Sequence, residues 1–418
     1  MAIIPISTRF IGISDTVNLI EKKSATVNKE TEPYTLQDFI DSVGGGGLEG
    51  TSYVYVAADG TDLENAVQLQ DAYDTAQTMS PSAANRVKVI CGPGNYNFLT
   101  DFVMDVQYID LVSLDGNRSV IFNGSGTISI IANDVFVKGV DVLLKNFTVA
   151  TLLDLLKVEN CSGGDFSFGG AAIAAGTFTN CIGGLASFGG SFPGGASGVF
   201  TDCVGGDASF ASGSNRRASG TFTNCVGGFQ SFGGAGGVAL GSFTNCIGGD
   251  DSFGTGGTAS GVFTDCIGGS SSFASGGIAS GSFTNCISTG DSFGSYLEAS
   301  GIFINCVGSD YCFGSFGEGS GTFTSCTGGS LSFGGGGFAS GTFANCQGGD
   351  EAFAGNFGEA SGTFTNCQGG ADSFAGGFGS LSGKLYYCRL TIGSFETVSG
   401  GGITRLCIDG NNVENNQG

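Results

Sequence analysis

From residue 161 onward the apolar and polar positions repeat as one text. In "SGTFTNCQGGADSFAGGF" (361–378) a Phe flanked by Thr leads to an Asn, a Cys, a Gly pair and a second Phe. Thirteen of the fifteen Cys fall in one series, from Cys161 through Cys225, Cys266, Cys326 and Cys367 to Cys407, at steps of 19 to 22 residues. A Phe stands three residues before ten of them, as at Phe178, Phe222, Phe263, Phe283, Phe323 and Phe364, and Leu385 takes that place before Cys388. Another stands seven residues after the first twelve, as at Phe253, Phe273, Phe333, Phe374 and Phe395. The Cys-to-Phe distance is constant, and length varies only beyond that Phe, where "SGSNRR" (212–217) is inserted. Equal coils with one corner that tolerates insertions give this pattern.

The period is too short for paired helices, and glycine at this density would cost a helix about 1 kcal/mol per residue. Runs such as "GTFTNC" alternate as strands do. The repeat therefore predicts an all-β fold: a single-stranded right-handed parallel β-solenoid of ~20-residue coils, running from about residue 85 to 407 and stacked at the ~4.8 Å strand spacing. The two Phe and the Cys are expected inside as ladders, with the Thr of T-F-T outside. Asn366 and its equivalents Asn180, Asn224, Asn245, Asn285, Asn305 and Asn345 are placed at a bend, where an amide ladder can bond along the axis. In-register Cys lie nearly 5 Å apart, beyond the ~3.5–4.5 Å Cβ separation of a disulfide, so the ladder is expected as free thiols. Cys91 and Cys312 lie outside the series.

Residues 51–160 read differently. Thr61 and Glu64 form a capping box, and Leu69, Ala72, Tyr73, Ala76 and Met79 follow with helical spacing. "VKVICGPGNYNF" (87–98) is a buried strand and a turn, followed by "YIDLVSLDG", "RSVIFNG", "TISIIAND" and "VFVKGVDV" as further strands. An open coil end exposes unpaired backbone and core Phe, so a cap is required there. The chain divides into an N-terminal attachment segment (1–43), a Gly-rich linker (44–50), the capping helix with the first coils (51–160), the regular repeats (161–388), and a closing coil and tail (389–418). Within the first segment "TEPYTLQDFIDSV" suggests a short amphipathic helix. Phe10, Ile11, Tyr34, Leu36, Phe39 and Ile40 are its candidate docking anchors, because apolar and aromatic groups carry most interfaces.

The formal net charge of −22, with 15 Lys and Arg, opposes nucleic-acid binding. The chain has no His, which excludes Ser-His-Asp and Cys-His catalysis and His-ligated zinc. No apolar run reaches membrane-spanning length. "MAIIPISTRF" lacks the basic and apolar regions of a Sec signal, so the expectation is a cytoplasmic product that leaves, if at all, by lysis or a signal-independent route. Carboxylate pairs suited to glycoside hydrolysis are Asp250 and Asp251 with Asp291, or Glu351 with Asp372. They occupy a variable stretch of the repeat, and the reading is solvated surface charge, with a weak Ca²⁺ site and then catalysis as the lesser alternatives. No catalytic residue, metal or cofactor is assigned. The outward T-F-T columns resemble flat ice-binding arrays, but β-branched residues suit any strand and Ile302 and Ile304 break the columns.

A capping helix, a strand ending in "GPGNY" and coils of increasing regularity resemble the opening of pectate-lyase-like right-handed β-helices. The opening segment together with Gly-rich Phe/Cys coils resembles phage tail-fibre and virion-appendage proteins. That resemblance implies attachment by residues 1–43, the coils as a shaft, a virion location, homo-oligomers, and as partners other virion proteins or sister subunits and a host-surface glycan or protein. The C-terminal 40 residues carry no obvious trimerisation domain. The sequence reading is a non-enzymatic structural and adhesive appendage, with a cell-surface or extracellular filament subunit as the alternative, and an ice-binding solenoid or a polysaccharide-degrading tail spike as lesser ones.

Overall fold

The computed structural model describes residues 20–21, 33–34, 51–126, 128–142, 147–150, 153–169, 172–191, 194–355, 357–375, 379–391, 403–409 and 414–417. The fold is all-β, a parallel β-solenoid with one α-helix, α1 (Asp62–Thr78), among the described residues. The chain forms two compact units, residues 1–143 with 159–161, and residues 144–158 with 162–418.

In the first unit the strands Thr51–Val56, Arg86–Cys91, Ile109–Ser113 and Phe136–Lys138 pair in parallel, each with the next. Gly94–Phe98 pairs with Val120–Gly124, and that strand with Val140–Asp141. Phe102–Met104 pairs with Ile128–Ile130. The first coil has only Thr51–Val56 as strand. Helix α1 follows it where the later coils place their other strands. Its start is fixed by the expected box: the Thr61 side chain accepts from the Glu64 N–H, and the Glu64 carboxylate accepts from the Thr61 N–H at 2.8 Å. Leu69, Ala72, Tyr73 and Ala76 are buried on one face. The Tyr73 ring meets Phe102 edge-on at 5.3 Å, and its hydroxyl accepts from the N–H of Asp105 and Val106. The helix thereby satisfies backbone groups at the exposed end of the Phe102 strand. Three successive coils are tied by Arg86, which donates to both carboxylate oxygens of buried Asp110 and to Asp134. The hydrogen bonds to Asp110, ahead of those to Asp134, raise the guanidinium pKa above its ordinary value.

In the second unit the regular coils carry two short parallel strands, a third pairing after the Cys that is a two-residue strand in some coils and a single bridge in others, and a turn. The first strand type, exemplified by Thr258–Ala259, stacks into an eleven-stranded sheet. Its inward residue is Ala in most rows, and Ala239, Ala259, Ala279 and Ala299 are fully buried. The T-F-T strand stacks from Thr177–Thr179 to Lys384–Tyr386, with Phe243, Phe263 and Phe283 in register. The third type follows the Cys, as at Ile267–Gly268. Between the first two strands a Cβ on Gly261 would lie 2.2 Å from the Gly241 carbonyl oxygen, so only glycine can stack at that corner. The parallel stack ends at Ile403–Ile408, which pairs antiparallel with Glu414–Gln417.

Two Phe ladders fill the interior of this unit. Phe263 stacks on Phe283 at 4.7 Å and 3°, and Phe253 on Phe273 at 4.8 Å and 3°. The ladders meet edge to face, as between Phe263 and Phe273 at 5.8 Å and 90°. Phe178, Phe222, Phe323, Phe333, Phe364 and Phe374 take the same positions in their own rows and are buried. The second ladder has an unexpected backbone. Phe273 has φ 51°, and its equivalents from Phe168 to Phe374 share this left-handed conformation. A bulky residue pays about 1–2 kcal/mol for it, which burial of the ring, at about 1.5–3 kcal/mol, offsets. The expected attachment residues Phe10, Ile11, Leu36, Phe39 and Ile40 lie outside the described residues. Tyr34 belongs to the strand Pro33–Tyr34, paired antiparallel with Ile20–Glu21. Phe395 is also outside them.

Replacing Phe263 with Ala should cost about 3–5 kcal/mol, the range for truncating a buried aromatic. Hydrogen exchange should show the loss spread into the rows of Phe243 and Phe283, since repeat stability is shared between neighbours. An effect confined to the Phe263 row would contradict shared ladder packing.

Candidate functional site

The repeat text places four kinds of reactive or polar group at fixed stations of each coil. Beside the Phe ladders stands the thiol ladder. All fifteen Cys are free and buried. The Cys266 Sγ lies 3.4 Å from the Phe243 carbonyl of the preceding coil and 3.4 Å from the Thr264 carbonyl. Cys225, Cys326 and Cys367 repeat the arrangement. The thiols thus donate along the axis to backbone carbonyls. Burial pushes the Cys203 thiol well above its ordinary range, and does the same at Cys91 and Cys312. Cys312 belongs to a different column. It replaces the fully buried Ser that precedes the second-ladder Phe, as at Ser272, Ser292 and Ser332. The signal for it was its position one residue before Phe313.

At the bend after T-F-T the residues are left-handed, with φ 53° at Asn224 and 55° at Asn285, a conformation Asn tolerates better than most residues. Their amides bond from row to row: Asn224 donates to Asp202 at 2.9 Å, Asn245 to Asn224 at 3.2 Å, Asn285 to Asp265 at 2.9 Å and Asn366 to Asn345 at 2.8 Å. An amide both donates and accepts, so it extends the ladder, whereas Asp265 can only receive.

The acidic residues four positions after Cys have a structural partner. Asp250 Oδ1 accepts from the Ser270 N–H at 2.7 Å, and Asp165, Asp207, Asp310 and Asp350 accept likewise from the next coil. The carboxylates considered for hydrolysis do not gather around a cleft. Asp291 accepts from the Tyr296 hydroxyl at 2.7 Å. Asp251 and Asp291 stand in one surface column with Ser271 between them, and Glu351 and Asp372 are neighbours in that same column. Among the described residues no group of three His, Cys, Asp or Glu is arranged to hold a metal ion.

Two surface features were not read from the sequence. Tyr296 and Phe316 replace small residues of the turn in adjacent rows. Phe316 stacks with Tyr296 and with Tyr311, each at 5.4 Å, and all three rings are exposed. The second feature is the position immediately after Cys. There Ile182, Val204, Val226, Ile247, Ile267, Ile287 and Val307 pair in parallel register and form an exposed aliphatic column. The column is legible as "CIGG" or "CVGG" in five successive coils, followed by "CIST" and "CVGS" in the next two. By contrast the T-F-T outer columns mix Thr with Val199, Val262, Ile302 and Ile304. No protein family, curated protein or solved structure matches the chain.

In the native protein a thiol reagent should find almost none of the fifteen Cys, and all of them after denaturation. Fast native labelling at Cys266 would contradict the inward thiol ladder. Asp250→Ala should lower stability by about 0.5–1.5 kcal/mol, the net value of one hydrogen bond, and Asp250→Asn by less, as read by urea denaturation.

Proposed function

We propose that the chain is a non-enzymatic structural and adhesive appendage protein of a phage virion, a tail fibre or surface fibre. One observation carries this reading: the repeated polar groups serve coil-to-coil bonding. Thiols bond to carbonyls, Asn to Asn or Asp, and Asp to the next coil's N–H. Such a body transmits load along its axis and holds its surface pattern in register, which is what a shaft requires. The exposed Tyr296, Phe316 and Tyr311 cluster, a local departure from the repeat, is the adhesive candidate for a host-surface glycan or protein. Residues 1–43 act as the attachment module, docking on a virion protein or a sister subunit. A subunit of a cell-surface or extracellular filament is the second reading, favoured by the exposed aliphatic column.

Antibodies against residues 161–388 should decorate the tails or surface of virions by immunogold microscopy. Decoration of cell filaments without virions would select the second reading. Deleting residues 1–43 should leave a folded, soluble solenoid that no longer incorporates. Normal incorporation of the truncated chain would remove the attachment role from that segment.

A further inference from the structure

We infer that the aliphatic column Ile182–Val307 is a self-association seam that seats the same column of a second copy of this chain. The inference rests on the appendage reading only in treating the solenoid as an assembled subunit.

Seven consecutive rows each present one β-branched aliphatic side chain, exposed by 38–45%. Together they leave on the order of 500 Å² of apolar surface in one strip, the size of the largest patch a soluble monomer usually exposes and one that is often functional. The rows are held in parallel register by backbone pairing. Their pitch is the strand spacing of ~4.8 Å, so the strip is about 29 Å long. The pitch selects the partner. Apolar side chains on a helix recur every ~5.4 Å, so a helix laid along the strip drifts by most of a row over its length. Side chains on one face of a strand recur at ~6.7 Å and match worse. Another parallel solenoid has the same pitch by construction, and a copy of this chain has it over the same seven rows. An isologous contact between identical strips follows naturally from two-fold symmetry.

The flank supplies the polar rim that such a contact uses. Asp202, Asn224, Asn245, Asp265 and Asn285 line the neighbouring corner and are exposed. Strip and rim together approach the ~800 Å² per partner of a stable interface. The strip also has a defined end. Beyond Val307 the column becomes Thr327, Gln347, Gln368 and Arg389, so register is fixed by where apolar rows stop. Because the chain carries a net charge of −22, two copies repel over distance, and salt should strengthen the contact by screening that repulsion.

Ile247 is the middle row, so it faces its own copy whether the two solenoids run parallel or antiparallel. Ile247→Cys would place one exposed thiol on a chain whose own Cys are buried. A short bis-maleimide should then give a covalent dimer in high yield. In the parallel arrangement Ile287→Cys cross-links to itself. In the antiparallel arrangement it cross-links to Val204→Cys on the other copy. Either result supports the seam. Sedimentation equilibrium of the full chain should show self-association that tightens with salt, and Ile247→Lys with Ile267→Lys should weaken it by at least about 100-fold, as expected for charges forced into an apolar contact. Ile247→Thr with Ile267→Thr, using the residue found at Thr327, should weaken it less while keeping the circular dichroism spectrum unchanged. A chain that is monomeric at every concentration and salt overturns the seam. So does an oligomer that is unaffected by both double variants and gives no Ile247→Cys cross-link. In that last case assembly uses another surface, and the appendage reading, tested separately by immunogold, stands. Conversely, a seam dimer without any decorated virion or filament would retain the seam and remove the appendage.

Discussion

The regular coils depend on one constraint: aromatic rings must stack at the distance that backbone hydrogen bonds set between coils. Parallel strands lie about 4.8 Å apart. Phe rings in register can meet that spacing almost face to face, as Phe263 and Phe283 do at 4.7 Å. A second ladder turned by 90° fills the remaining width, giving the edge-to-face contacts that aromatic quadrupoles favour. Ring spacing and hydrogen-bond spacing therefore reinforce one another in every row. The left-handed φ of the second-ladder Phe follows from this demand: the turn must deliver a ring to the interior at a fixed station, and the backbone accepts a strained conformation to do so.

Around that core, residue types are distributed by what each can pass to the next coil. Asn recurs at the bend because its amide both receives and donates. Asp ends an amide run at Asp265 but suits the later station, where Asp250 accepts a backbone N–H. Ala and Gly fill the side where neighbouring backbones approach most closely, as at Gly261 above Gly241. Thiols serve as small buried groups with a weak donor. A coil built this way leaves little of its repeated chemistry free.

What varies from row to row lies outside. The aliphatic column, the mixed Thr and Val faces and the Tyr296, Phe316 and Tyr311 cluster all ride on positions whose inward neighbours hardly change. A surface of this kind can diverge row by row without disturbing the ladders, because alternate residues of a strand point to opposite sides. Core packing and surface chemistry are thereby separable in one short repeat.

The sequence by itself determined the period, the inward Phe and Cys, the free thiols, the bend at Asn and the helix start at Thr61. Each is a local consequence of spacing: identical residues at equal intervals in strands of period two have to superpose, and a capping box needs only four residues. The tertiary structure alone decided the rest. It showed that Phe273 sits in a left-handed turn, where propensity would have placed Gly, because the penalty is local while the compensation comes from rings in adjacent coils. It gave Asp250 its partner, a backbone N–H twenty residues away that no sequence pattern announces. It also separated Ile267, which faces outward, from Cys266, which faces inward, and so showed seven apolar residues to form an exposed strip. Exposure depends on which face of the finished coil a residue occupies, and that is fixed only when the corners close.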